Sequence, residues 1–508
     1  MKYYSIFVYL ITLSSITAAQ EQNVLLIIAD DVGVDPIGGY MTEATIKAHM
    51  PTLDSLMQQG LTFDNVWTNP ICSPTRSAIL SGKYGFRTGV YDAVIYNEIS
   101  EDELSLHEHI DLLSPEEYTS AVIGKWHLSG NGPGNNDHPS LLGIEHYEGL
   151  LAGAVADYYD WTFTQNGESN PSSEYITTTL TNSAIDWIND QDDNWFCWLA
   201  YNAPHSPFHL PPANMHSQGN LPTDQTSVDA NPLPYYIAMI ESLDFELNRL
   251  LQSITEEELA NTTIIWIGDN GTPGAVTQSP YAFNKAKGSL YQGGIHVPMV
   301  VTGNAVTRMN EREDALIVST DIHSTILELT GVELNEYEDS QSFYDLLSEN
   351  IDGPRECSYT DAYAENKGFG WAARDERYKY FIWDSVPERF YDLWEDPFEN
   401  QSLLSGTGEL TAEETIAYAK LANLRETLGI NDESVANEET ILFPNPSSNS
   451  LQLFFSGNIG KEYTIVATNG KLVSTGITKS DESIDISRLT KGIYFLKINE
   501  EYIRFAKI

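Results

Sequence analysis

Four segments of this chain share one design: a run of apolar residues that stops abruptly at charged or polar ones. NVLLIIADDVG (23–33) ends in Asp30 and Asp31, and NTTIIWIGDNG (261–271) ends in Asp269 and Asn270. YTSAVIGKWHL (118–128) ends in Lys125 and His127, and NWFCWLAYNAPHSP (194–207) ends in His205. Short runs without polar alternation suit strands buried on both faces, as in a parallel sheet covered by helices. The stretches MPTLDSLMQQG (50–60) and LPYYIAMIESLDFELNRLLQSI (233–254) supply such helices, with apolar residues at helical spacing. The expected fold is α/β: a large mixed, mainly parallel sheet sandwiched by helices. In open sheets of this kind, ligands bind beyond the carboxyl ends of the strands. An Asp-Asp after a strand is by itself more often a turn or a cap, and a lone histidine is usually structural. Four polar strand ends at one topological place make a site.

A chain of 508 residues exceeds one ordinary core. After about Ser340 the pattern changes to short strands and turns, RDERYKYFIWDSVPERFYDLWEDPFENQSLL (374–404), followed by the helix TAEETIAYAKLANLRETL (411–428). This predicts a smaller C-terminal α+β subdomain with an antiparallel sheet. From about Asn431, alternation and the turn TNGK indicate a terminal all-β module. At the other end, MKYYSIFVYLITLSSITAAQ has one lysine, a short apolar run and the pair Ala18–Ala19, the pattern of a secretory signal peptide. The expected divisions are 1–19 signal peptide, 20–340 catalytic domain, 341–430 subdomain and 431–508 β-rich module. No later segment is apolar for long enough to span a membrane.

A formal charge of −46 excludes nucleic acid and anionic membrane surfaces as partners, since both would be repelled. Solubility is its bland explanation. An anionic substrate would need a local basic pocket, which makes Arg76, Lys125, Lys287 and the histidines informative. The three cysteines cannot all pair. Cys197 sits in an apolar run and reads as core, and a Cys197–Cys357 bridge stays open.

Cys72 lies in ICSPTRSAIL (71–80), beside Arg76. One reading is a low-pKa thiolate with His127 or His205 as base. That reading leaves the acidic strand ends unexplained. Asp30, Asp31, Asp269 and Asn270 offer hard oxygen donors, suited to Ca²⁺ or Mg²⁺ rather than to a soft metal. A hard dication beside a nucleophile, ringed by cations and histidines, suits a tetrahedral oxyanion such as sulfate or phosphate.

The stretch CSPTRSAILSGK resembles the signature of type I sulfatases, Cys-x-Pro-Ser/Thr-Arg followed by Leu-Ser/Thr-Gly, within the alkaline-phosphatase-like superfamily. The likeness extends over most of residues 22–405, through ADDVG, GKWHLSG, APHSPFHLP, GDNGTPG, KGSLYQGGIHVP and YKY…YDLWEDPFE. It implies that Cys72 is oxidised to formylglycine by a formylglycine-generating or anaerobic sulfatase-maturating enzyme, which reads Pro74 and Arg76. It implies Ca²⁺ held by Asp30, Asp31, Asp269 and Asn270 with contact from residue 72. Arg76 would hold the formylglycine hydrate, Lys125 and Lys287 would bind sulfate oxygens, His127 would take the hydrate's proton, and His205 would protonate the leaving oxygen. Two positions depart from the family, which often has arginine where this chain has Lys83 and His296. His209, close to His205, carries no assigned role.

The end of the chain, with FPNPSSNSLQL, NGKLV, IDISRLTKGIYFLKI and AKI, resembles the sorting domains of the type IX secretion system of Bacteroidota. A carbohydrate-binding β-module is the rival reading. The resemblances together imply a secreted or cell-surface, calcium-dependent sulfatase, exported through the periplasm of a Bacteroidota-like bacterium. Its substrate would be sulfated polysaccharide or oligosaccharide, algal glycans among them. The alternatives are a phosphoester hydrolase of the same superfamily and a non-catalytic glycan-binding protein.

Overall fold

The structure, a computed structural model, describes residues 22–130, 135–332, 334–406 and 408–430, and further on 441–443, 450–454, 462–467, 471–477, 483–498 and 501–507. The signal-peptide reading of residues 1–19 lies outside the described residues.

Ten strands form one sheet: β1 (Asn23–Ala29), β2 (Gly60–Trp67), β3 (Thr119–Lys125), β4 (His146–Leu150), β5 (Trp161–Gln165), β6 (Glu168–Ser172), β7 (Trp195–Tyr201), β8 (Thr262–Gly268), β9 (His296–Gly303) and β10 (Glu311–Val318). Their order is β10-β2-β9-β8-β1-β7-β3-β4-β5-β6. The centre, β8-β1-β7-β3-β4, is parallel throughout. On one side β9 runs antiparallel to both β8 and β2, and on the other β5 and β6 close the sheet as an antiparallel hairpin. All residues of β1, β7 and β8 are buried, which is why their sequences lack polar alternation.

Each central strand feeds two cores, because successive side chains point to opposite faces. Leu25, Ile27 and Ala29 of β1 pack in one, with Leu53 and Leu56 of helix α1 (Pro51–Gln59) and with the helices Ile176–Asn189 and Leu233–Ser253. Val24, Leu26 and Ile28 pack in the other, with Ile79 and Leu80 of helix α2 (Cys72–Ser81) and with the helices Leu106–Leu113 and Asp321–Leu329. At about 25 cal/mol per Å² of apolar surface removed from water, these two layers are the main term holding the sheet between its helices.

A second sheet is a four-stranded antiparallel meander over Ser358–Ala364, Gly368–Arg374, Tyr378–Trp383 and Val386–Asp392. Its aromatic core takes in Trp67, Leu290, Ile295 and Val318, so the subdomain is built onto one side of the main sheet. The helix expected as one piece over 411–428 breaks at Asn423 into Ala412–Ala422 and Leu424–Thr427. The described strands beyond residue 440 pair antiparallel in sheets of three and four, an all-β module. Among the described residues no helix is long and apolar enough to cross a membrane.

Candidate active site

β8, β1, β7 and β3 are consecutive in the sheet. Their carboxyl ends therefore deliver Asp269 and Asn270, Asp30 and Asp31, His205, and Lys125 and His127 to one crevice, as the apolar runs predict. Asp31 and His127 turn their chains with φ of 69° and 57°. That left-handed conformation costs a non-glycine residue about 1 kcal/mol or more, and such strain clusters where a side chain must be aimed.

Helix α2 supplies the remaining part. Cys72 is its first residue, after Ile71 at the N-cap, and all ten of its residues are buried. Its amino end, where unsatisfied N–H groups carry partial positive charge, opens at Cys72. Arg76, one turn on, fixes the helix. Its guanidinium donates to the Lys125 carbonyl at 2.7 Å and to Asp269 Oδ2 at 2.8 Å, so α2 is tied to the ends of β3 and β8 together.

Three carboxylates face three cations here. Lys125 Nζ lies 2.5 Å from Asp30 Oδ2, Arg76 pairs with Asp269, and Lys287 bonds Asp31. Burial pushes the Asp30 carboxyl well above the usual range, and Asp269 adds to this. Burial pushes Asp31 the same way, but Lys287, His205 and Lys125 outweigh it and hold the carboxyl low. Burial would lower Lys287, yet Asp31, Cys72 and Asp30 raise it and keep the ammonium charged. Buried ion pairs of this sort add little net stability, because desolvation offsets their attraction. They are better explained by charge required for binding.

Asp30, Asp31 and Asp269 can each turn one oxygen to within 4.8 Å of the others. Asp30 Oδ1 and Asn270 Oδ1 are buried without a hydrogen-bond partner. The Asn270 amide is oriented by its nitrogen, which donates to Asp31 Oδ1 at 2.9 Å and to the Gly271 carbonyl at 3.1 Å. The donors are all oxygen and two stand unsatisfied in the interior, where such atoms are costly. The set fits a hard divalent cation. A dication would tip the balanced cluster positive, which is what an anionic substrate needs in so acidic a protein.

A cleft of about 490 Å³ lies above, lined by Cys72, His127, His205 and Lys287 together with Ile71, Ala93, Gly153, Ala154 and Gly288. Lys125, only 1% exposed, sits beneath this lining. Hydrogen bonds settle the histidine tautomers. His127 Nε2 is 3.2 Å from the Ala93 carbonyl, which only accepts, so Nε2 carries the proton. The lone pair of Nδ1 then faces Cys72 Sγ at 3.3 Å. Burial, then Lys125 and Arg76, hold this imidazole well below its ordinary pKa, hence neutral. His205 Nδ1 donates to the Ser206 carbonyl at 2.7 Å, which turns Nε2 toward Asp31 Oδ2 at 4.0 Å. Burial pushes His205 down to about 3 despite Asp31.

All ten residues expected at the site thus converge. Sequence reasoning missed the parts that hold them. Ser73 Oγ donates to the His127 carbonyl at 2.8 Å, and Tyr236 donates to the Asp31 carbonyl at 2.8 Å. Gly153 lies against the His127 ring, where a Cβ would come within 2.0 Å. Ser73 sits inside the cysteine motif and was findable, whereas nothing near Gly153 announces it. His209 is held between the Pro207 carbonyl and the Tyr175 hydroxyl outside the cleft lining, and His296 bonds the Asp64 carbonyl away from the cleft. Lys83 pairs with Glu103. Cys197 and Cys357 are free, so the bridge left open by the sequence is not formed.

Three stretches of the chain match known families. Residues 22–332 match the family described as Sulfatase, 283–426 match N-sulphoglucosamine sulphohydrolase, C-terminal, and 441–507 match Secretion system C-terminal sorting domain. The chain is 29% identical over 315 residues to the uncharacterized sulfatase YdeN of Escherichia coli strain K12, an alignment covering 56% of this chain and 54% of that one. It is 26% identical over 404 residues to arylsulfatase J of Mus musculus, covering 73% and 63%. It therefore spans less than two thirds of the length of either relative. Among solved structures, Ps i-CgsB in complex with k-i-k-neocarrahexaose superposes with a TM-score of 0.67 at 20% identity, covering 82% of this chain and 94% of that one.

Proposed function

The chain belongs to the sulfatase family, and from that premise we propose that it hydrolyses sulfate esters of carbohydrate with residue 72 as the nucleophilic position. One observation carries the proposal: the Nδ1 lone pair of a neutral His127 stands 3.3 Å from the side chain of residue 72, in a cleft with Lys287 above three buried carboxylates. Carbohydrate is favoured as the substrate because Ps i-CgsB, of the same fold, is seen with a neocarra-oligosaccharide. Sulfated polysaccharides and oligosaccharides, algal ones included, are the proposed class.

Conversion of Cys72 to formylglycine by a maturation enzyme would supply, in the hydrated aldehyde, two hydroxyls on one carbon: one to attack sulfur and one to expel sulfate. Asp30, Asp31, Asp269 and Asn270 would hold Ca²⁺, which polarises oxygens bound to it as a Lewis acid. The rest falls to the chain's own side chains. His127 accepts a proton at Nδ1 from the group on residue 72. Lys287, at the cleft wall, offsets charge that grows on the sulfate oxygens in the transition state. Lys125 supports this from below through Asp30. Arg76 keeps residue 72 in register with the carboxylates through its two bonds to β3 and β8. His205 donates to a leaving oxygen once it is charged, a state that an incoming sulfate anion favours. The 441–507 region would direct export through type IX machinery to the cell surface or medium of a Bacteroidota-like bacterium.

The test is sulfate release from a panel of carrageenan, fucan and glycosaminoglycan oligosaccharides, with phosphate release from matched phosphosugars alongside. Mass spectrometry of the peptide holding residue 72 should show a loss of about 18 Da in active protein. Cys72→Ala should lower release by more than about 10³-fold while the protein stays folded. Chelation should abolish release and calcium restore it. Turnover by the unmodified thiol, or phosphate release outpacing sulfate release, would overturn the proposal.

A further inference from the structure

The loop Tyr91–Tyr96 touches the reactive cleft on one side and a second cavity on the other. Ala93 lines the 490 Å³ cleft and holds the proton of His127 Nε2. Tyr91 lines a neighbouring cavity of about 450 Å³, whose other walls include Phe86, Phe369, Trp371 and Trp383. The loop is built to keep its shape. Asp92, itself buried, accepts from the backbone N–H groups of Val94, Ile95 and Tyr96 at 2.9, 2.8 and 2.8 Å. Tyr91 donates to the Tyr96 carbonyl at 2.9 Å, and Tyr363 donates to the Tyr91 carbonyl at 3.0 Å.

This rigid loop displays apolar surface instead of hiding it. Val94, Ile95, Tyr96 and Phe369 are 67%, 55%, 37% and 40% exposed. The aromatic rings are locked together: Tyr96 lies 5.5 Å from Phe369 and 4.8 Å from Tyr363, and Tyr91 lies 4.9 Å from Phe369. A contiguous exposed apolar surface marks a binding site more often than an accident of packing. Fixed aromatic faces bind with little loss of side-chain freedom.

We propose that Tyr96 and Phe369, backed by Tyr91 and Tyr363, form the subsite for the sugar ring next to the sulfated one. This rests on the sulfatase reading and names the part of its substrate that lies outside the reactive cleft. Ala93 lines the reactive cleft and belongs to the same loop as Tyr96, so a saccharide continuing past Ala93 from a ring whose sulfate reaches Cys72 would be led toward this wall. A pyranose presents C–H groups on its face and hydroxyls at its rim, so it stacks on an aromatic ring while staying hydrated at its edge. Arg425 and Asp384, which also line the second cavity, offer polar groups for rim hydroxyls, and Asp384 is tied to Phe369 by the Phe369 N–H donating to its Oδ2 at 2.9 Å. The neighbouring ring is thus recognised by shape and stacking, with no demand for a second cationic pocket in an acidic protein.

The experiment compares Tyr96→Ala, Phe369→Ala and the double variant with wild type, on the sulfated monosaccharide and tetrasaccharide from whichever glycan of the panel is turned over fastest. The ratio of kcat/KM for the tetrasaccharide to that for the monosaccharide should fall about three- to tenfold for each single variant, through KM rather than kcat. Tyr96→Phe and Phe369→Tyr, which keep the ring faces, should restore the ratio. An active wild type whose alanine variants leave the ratio unchanged overturns the subsite alone. A wild type that releases sulfate from no sugar overturns the parent reading first, and the subsite with it.

Discussion

The role proposed for His127 requires its ring to stay where two contacts put it: Nε2 toward the Ala93 carbonyl and Nδ1 toward residue 72. The space that allows this is bounded by Gly153, where a Cβ would lie 2.0 Å from Cε1 and 2.1 Å from Nε2 of the ring. No flexible tip can yield there, because the imidazole itself is the obstacle. Gly153→Ala should therefore displace the ring, break the Ala93 bond and free the tautomer. A catalytic group moved by about 1 Å costs on the order of 10²-fold in rate. The expected result is a fall of that size in kcat for sulfate release with little change in Tm, because Gly153 lines an open cleft rather than a core. A variant with wild-type kcat would show that His127 tolerates the movement and is not the proton acceptor. The residues that converge on the cleft were legible in the sequence because their types are unusual at strand ends. Gly153 was not, since its role is to leave a space, and a space is set by what comes near it in three dimensions.

At the scale of elements, α2 is a short helix without one solvent-facing residue, and it needs support along its length. Arg76 holds its first half and the histidine pair His109–His323 its last turn. His323 Nδ1 lies 3.2 Å from the Ile79 carbonyl, so it donates, and its Nε2 must then accept from His109 Nδ1 at 2.9 Å. Gly82, at φ 70°, ends the helix with its N–H on the Ala78 carbonyl and lies close to the His323 ring. This relay holds only while both rings are neutral. Burial holds His109 well below its ordinary value and brings His323 to about 4, with Lys83 adding to both. An unfolded histidine titrates near 6.5, so below that pH the unfolded chain takes up protons that the folded one refuses. Stability from this pair is therefore complete above about pH 7 and is lost as pH falls from 6.5 toward 4, at roughly one kcal/mol or more per pH unit for each ring. Melting temperatures from pH 7.5 to 4.5 should fall more steeply for wild type than for His323→Gln. Equal slopes would mean that the pair is already charged in the folded state. The sequence showed α2 as a motif and neither histidine as its support, because the contact joins residues 214 positions apart.

Over the whole molecule, the sheet was readable where burial is two-sided and hard to read where it is not. β1, β3, β7 and β8 announced themselves by continuous apolar runs, whereas β5 and β6 form an exposed edge hairpin with residues such as ESNPS, in which no strand pattern survives. The late change in pattern near Ser340 marks a real second sheet, yet that sheet packs on Trp67 and Val318 of the first, so the two form a common core. The last module differs. Among the described residues, its apolar cluster contains Ile465, Ile484, Ile486, Tyr494, Leu496, Ile498 and Phe505. Among the described residues, Ile430 is the last to join the aromatic core around the second sheet. A chain that stops after Ile430 keeps every residue of the cores described around the two sheets, since side chains stabilise only what they touch. Such a chain should release sulfate with kcat and KM within about twofold of the full protein and melt at the same temperature within a degree or two, as expected for a distant, uncoupled change. Calorimetry of the full chain should then show a second, smaller transition that the shorter chain lacks. A large loss of activity or of melting temperature on truncation would instead make the β-module a working part of the enzyme, as the carbohydrate-binding alternative requires.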